Sequence, residues 1–125
     1  TMYNWMKGNV FCMQATINEA AITLNSAAAA SLKNCRYVRI GVDPEQWLMA
    51  VQPVEKRQIE TGAVPAGQIQ KLSVGKGYAR ISNKEAVREI SRLIGRQPSG
   101  EKFPAEWNEA DGILVIDLKK TEESV

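Results

Sequence analysis

The chain has 125 residues, 44% hydrophobic and 24% charged, with a formal net charge of +2 and no histidine. That length holds one domain with a modest core, and the near-neutral total excludes a global polycation. The missing histidine removes Ser-His-Asp and Cys-His nucleophiles and most transition-metal sites.

No run of 18 apolar residues spans a bilayer, and no basic-then-apolar leader opens the chain, so a cytoplasmic protein is expected. Cys12 and Cys35 are too few and too far apart for a zinc site of the usual spacing. Without a secretion signal they read as buried free thiols rather than a disulfide. No cofactor, metal or small-molecule ligand is expected, and no catalytic constellation is visible.

Residues 1–9 read as a polar-aromatic N-terminal arm. Residues 10–24, "VFCMQATINEAAITL", give two short strands around a polar break. Asn25 or Ser26 then caps a short helix over the alanine run at 27–30, where the side chain with the highest helix propensity is repeated. In 37–54, Val38, Ile40 and Val42 alternate with Tyr37, Arg39 and Gly41, and "DPEQ" supplies turn chemistry before "WLMAV", which predicts a β-hairpin. Residues 53–68 hold two prolines and two glycines with little periodicity, and 55–68 read as a linker.

"IQKLSVGKGYARIS" predicts a second bent hairpin, and Ser82 with Glu85 spells a capping box that opens a helix. Val87, Ile90 and Leu93/Ile94 form its apolar stripe, and Gly95 its stop. Asp111-Gly112 marks the turn of a last hairpin within 103–118. Residues 120–125 are a tail.

Both halves thus share one order: strand, turn, strand, short capped helix, connection, hairpin. Aligning Leu24 with Ile81 sets Asn25 on Ser82, and a nine-residue insertion then sets Tyr37 on Phe103. Trp47 and Trp107 fall at nearly equivalent places and read as core groups rather than base-stacking ones.

The runs "ITLNSAAAASL", "YVRIGVDPEQWLMAVQPV" and "IQKLSVGKGYARISNKEAVREI" resemble the AbrB/SpoVT/MazE group of swapped-hairpin proteins, with Gly77 at the family's turn glycine. Two such halves in one chain resemble its tandem, MraZ-like version. The resemblance implies a mainly β fold with short helices, a swapped-hairpin (double-split) β-barrel formed by two internal repeats. It makes 10–119 a single pseudo-two-fold domain, with repeat one at 10–54, the linker at 55–68 and repeat two at 69–119. The alanine helix would then lie close against strands of the other half, where small side chains permit the approach.

Charge is unevenly placed. Residues 1–70 hold six basic and five acidic side chains, 71–102 hold eight and three, and 103–125 hold two and six. Lys84, Arg88 and Arg92 recur every four residues and share a helix face. Lys71, Lys76 and Arg80 lie on the preceding hairpin, and Lys71 matches a basic position in the first strand of the resembled family.

A basic stripe beside a hairpin can follow a phosphate backbone, so Lys71, Lys76, Arg80, Lys84, Arg88 and Arg92 are the candidate DNA-binding residues. The competing reading is a solvated helix face, with Glu85–Arg88 and Glu89–Arg92 as i,i+3 pairs. The expected function is a non-enzymatic bacterial DNA-binding transcriptional regulator contacting duplex DNA through the second repeat. The alternative is a protein-interaction module, antitoxin-like or structural, binding itself or another protein. Residues 10–32 contain no Lys or Arg, which favours that alternative.

Overall fold

The structure, a computed structural model, describes residues 2–6 and 12–119. Nine antiparallel strands form one sheet that curls into a nearly closed barrel. In chain order they are β1 (Met13–Ile17), β2 (Ala21–Asn25), β3 (Tyr37–Asp43), β4 (Leu48–Val54), β5 (Gln70–Lys71), β6 (Ser73–Gly75), β7 (Tyr78–Ser82), β8 (Glu101–Asn108) and β9 (Ile113–Asp117). Three short helices complete it: α1 (Ser26–Ser31), α2 (Lys56–Glu60) and α3 (Lys84–Ile94). None is long and apolar enough to cross a membrane.

The hairpins form where turn chemistry demands them. Asp43 accepts bonds through Oδ1 from the backbone N–H groups of Glu45 and Gln46, at 3.0 and 3.2 Å. That Asx turn reverses the chain between β3 and β4. Between β8 and β9, Asn108 Oδ1 accepts from the Asp111 N–H at 3.1 Å, and Gly112 takes the left-handed φ of 63° that closes the turn.

The strand order is β5-β3-β4-β9-β8-β1-β2-β7-β6. Its two outer members, β5 and β6, are consecutive in the chain and separated only by Leu72. One extended stretch, residues 70–75, therefore serves both edges. Its first part pairs with β3 and its second with β7. At the join the Leu72 N–H donates to the Arg36 carbonyl at 2.9 Å, and the Leu72 side chain is buried. Taking 70–75 as one strand, exchanging it with β1, β2 with β7, β3 with β8 and β4 with β9 returns the same cyclic order.

Inward residues alternate clearly along β1, β7 and β9. Ala15, Ile17, Ile22, Leu24, Ala79, Ile81, Phe103, Leu114 and Ile116 fill the interior and are fully or almost fully excluded from solvent. α1 lies against β1 and β2, and against β7 and β8 of the second half. Ala28 has no exposed surface, whereas Ala30 faces solvent. The alanine run thus makes contact at Ala28 and, in part, at Ala29, which packs against the core, and is a propensity choice at Ala30. Trp47 and Trp107 are half-buried and pack against the core.

Four sequence expectations need correction. The cap of α3 is Asn83, whose Oδ1 accepts from the Ala86 N–H at 3.1 Å. Ser82 instead remains in β7, paired with Ala21. Tyr37 and Phe103 face opposite ways: Phe103 is wholly buried, Tyr37 is exposed, and the inward residue beside it is Val38. The stretch 55–68 carries α2, held at its start by a Glu55 N–H bond to Gln58 Oε1 of 2.8 Å, and a 3-10 turn at Ala66–Gln68. Both cysteines are free thiols, but Cys12 is exposed and Cys35 only half-buried.

Two stability outcomes follow from this packing. Ala28→Leu should destabilise by about 1–3 kcal/mol through overpacking, while Ala30→Leu stays within about 0.5 kcal/mol. Urea unfolding of both variants checks this, and equal effects would remove the close approach of α1. Leu72→Ala should cost about 2–5 kcal/mol, as for other buried leucines. Val74→Ala, two residues on and half-exposed, should cost clearly less in the same assay.

Candidate nucleic-acid interface

The β6–β7 hairpin is built by its glycines. Gly77 adopts φ 82° at the turn, a region L side chains rarely enter. A Cβ at Gly75 would overlap the Tyr78 ring, so glycine there lets the ring lie across the hairpin. Lys76 sits at the tip of this turn, exposed. Arg80 is the central outward residue of β7, between Ser73 of β6 and Thr23 of β2.

Lys71 faces solvent from β5, opposite Tyr37. Lys84 is the first residue of α3. Asn83 Nδ2 donates to Gln70 Oε1, which ties β5 to the start of α3. The next residue on each segment is a lysine, so that bond brings Lys71 and Lys84 to one corner of the molecule. A lysine at a helix N-terminus adds to the positive end of the helix dipole rather than offsetting it.

The helix stripe is different in kind. Arg88 is ion-paired with Glu85, and Arg92 with Glu89 at 2.5 Å, both in exposed i,i+3 geometry. Arg96, the next residue along, is paired with Glu101. All six candidate residues are exposed. Among the described residues, Lys71, Lys76, Arg80 and Lys84 carry no carboxylate partner. The first four therefore present uncompensated charge, while Arg88 and Arg92 present it beside an acid.

The strand register adds groups that sequence reasoning missed. Ser73, Arg80, Thr23, Thr16 and Lys102 are successive cross-strand partners over β6, β7, β2, β1 and β8. Their chain neighbours Ala15, Ile17, Ile22, Leu24, Ala79 and Ile81 point inward, so this row points outward. Four strand spacings make it about 19 Å wide. Hydroxyl and cationic groups side by side on a sheet face match the donors that commonly contact phosphate oxygens. The first half, bare of Lys and Arg over 10–32, contributes Thr16 and Thr23 to it. The signal available in the sequence was the period-two placement of threonine in "QATI" and "AITL", but only the register joins the two strands to Arg80.

No three Cys, Asp or Glu side chains come together to hold a metal among the described residues. Cys35 borders a small opening beside Lys71, Arg36 and Tyr37. Burial pushes its thiol pKa up, against the lowering effect of backbone hydrogen bonds. It is therefore less thiolate-like than an ordinary cysteine, and nothing about its setting makes it a nucleophile. Compared with protein-family models, with curated proteins and with solved structures, the chain matches none of them.

Proposed function

We propose that this chain is a non-enzymatic, cytoplasmic DNA-binding regulator of bacterial type, which holds duplex DNA through phosphate contacts made mainly by its second half. The observation that carries this reading is the group Lys71, Lys76, Arg80 and Lys84, exposed and free of carboxylates, beside a row of outward hydroxyls. Phosphate contacts position a protein on DNA but carry no sequence information, so base discrimination needs further groups. The same proposal takes the fold as a tandem, AbrB-like swapped-hairpin barrel with repeats at 10–54 and 69–119. The exchange of partners between halves supports it, and the fold by itself would not establish the function.

A second reading is favoured by a specific observation. Glu85 and Glu89 already neutralise Arg88 and Arg92, as on an ordinary solvated helix. On that reading the chain is an interaction module, antitoxin-like or structural, with no affinity for DNA.

Titrating a duplex at several salt concentrations separates the two. The slope of log K against log salt is about −0.9 per phosphate neutralised. Changing Lys71, Lys76, Arg80 and Lys84 together to Gln should flatten the slope by up to about three or four units and weaken binding on every sequence. Changing Arg88 and Arg92 should flatten it by less than about two, because their acids already compete. If the parent fails to bind any duplex at low salt, the regulator reading is wrong and the interaction module stands.

A further inference from the structure

Closure of the barrel stops short along β3. All seven of its residues pair with β4, but β5 covers only Tyr37 and Val38. The chain leaves this edge at Ile69, whose N–H turns back to the Ala66 carbonyl at 3.3 Å. In the other half, all five residues of β1 cover the equivalent strand, β8, at 101–105. Residues 39–43 are thus an open edge, with Gly41 and Val42 exposed. Natural edges are blunted by Pro, Lys or a bulge. This one, Arg-Ile-Gly-Val-Asp, has neither residue and keeps an unbroken register with β4.

The backbone groups on this edge follow from the ladder. Alternate residues of an antiparallel strand face opposite edges. The Arg36 carbonyl accepts from the Leu72 N–H, so even-numbered residues face the β5 side. Val38 is taken by Gln70. Ile40 and Val42 remain, each directing an N–H and a C=O outward, and no strand among the described residues lies beyond them.

We propose that this edge pairs with the same edge of a second copy, antiparallel about a two-fold axis at Gly41. That register sets Ile40 of each copy opposite Val42 of the other, and each such pair exchanges both of its N–H···O bonds. An axis at Ile40 would set Val42 against the occupied Val38. An axis at Val42 would set Ile40 against Pro44, which has no N–H.

The side chains fit the register that the backbone selects. Arg39 falls opposite Asp43 of the second copy, both on the outer face, because Val38 and its alternates point the other way. Within one molecule Arg39 bonds only to neutral groups, Gln52 at 2.5 Å and Gln68 at 3.2 Å. Asp43 accepts only from its own turn, at Glu45 and Gln46. Each therefore lacks an opposite charge among the described residues, and opposite charges directly across two strands stabilise the pair. On the other face Ile40 meets Val42, which is 44% exposed in the single molecule. Gly41 meets itself on the axis, and a Cβ there would touch nothing within 4 Å, so the approach is open. The edge asks for a strand with an acid and a base four residues apart in reverse order, and a second copy supplies it. Two such short edges make a small contact, so the dimer is weak and reversible. It uses none of the candidate DNA-binding cations and stands apart from that reading.

Sedimentation velocity and amide NMR on the full chain test this, at concentrations reaching about 1 mM. The average mass should climb toward that of a dimer, and the Ile40 and Val42 amide signals should shift with concentration. Val42→Pro removes an N–H that faces the open edge and leaves the β4 ladder intact, so it should abolish the climb. Arg39→Glu sets like charges opposite each other and should weaken association by about tenfold or more. Amide spectra that otherwise match the parent show that both variants are folded. A chain that stays monomeric throughout would overturn the proposal and leave the edge to a strand of another protein. So would a dimer that both variants leave intact, because another face would then hold it.

Discussion

An antiparallel sheet that curls toward closure must satisfy its two edges, or it exposes rows of unpaired N–H and C=O groups. Here one short stretch, residues 70–75, meets both. Leu72 is the pivot. Its N–H reaches back to Arg36 on one side, its side chain fills the interior, and the residues on either side pair with different strands. This constraint places much else. It brings Gln70 to the cap of α3, and so Lys71 to Lys84. It sets Ser73 opposite Arg80. It also leaves the small opening beside Cys35, because Lys33 and Asn34 are left-handed (φ 51° and 57°) and cannot continue the ladder along β6.

The hairpins were legible because their turns are local chemistry. Asp43 with Pro44, Gly77, and Asp111 with Gly112 each specify a reversal within four residues, and the strands on either side alternate clearly. What failed was register. Ser82 and Asn83 are both good caps, and the S-x-x-E pattern pointed to the first. The tertiary pairing of Ser82 with Ala21 keeps it in the strand and moves the cap one residue on. The match of Tyr37 with Phe103 erred by the same mechanism, since a slip of one residue exchanges the inner and outer faces of a strand. α2 went unread because Pro53, Gly62 and Pro65 dominate that stretch, although Glu55 and Gln58 stand at capping-box spacing.

The candidate site divides along the same line between local and non-local information. The concentration of cations in 71–102 is a count, and the i,i+3 pairs on α3 are a spacing, so both were visible in the chain. The row from Ser73 to Lys102 was not. Five strands contribute one residue each, drawn from positions as far apart as 16 and 102, and no window of sequence contains them.

The symmetry of pairing and the asymmetry of chemistry explain each other. Exchanging the halves preserves the strand order, so backbone hydrogen bonding asks the same of both. Side chains outside the core are free to diverge. The first half spends its six-residue helix on contact, with Ala28 wholly buried and no charge on α1. The second half extends its helix to eleven residues and charges the outer face. Thr23 and Arg80 show the division at its smallest scale. They are direct cross-strand partners on the β2–β7 pair, the one place where second strands of both halves meet, and one presents a hydroxyl where the other presents a guanidinium. A symmetric ligand surface would need like groups at these two positions. Unlike groups mean that any polyanion held on this face is gripped from the side of the second half, with the first half adding hydrogen bonds rather than charge.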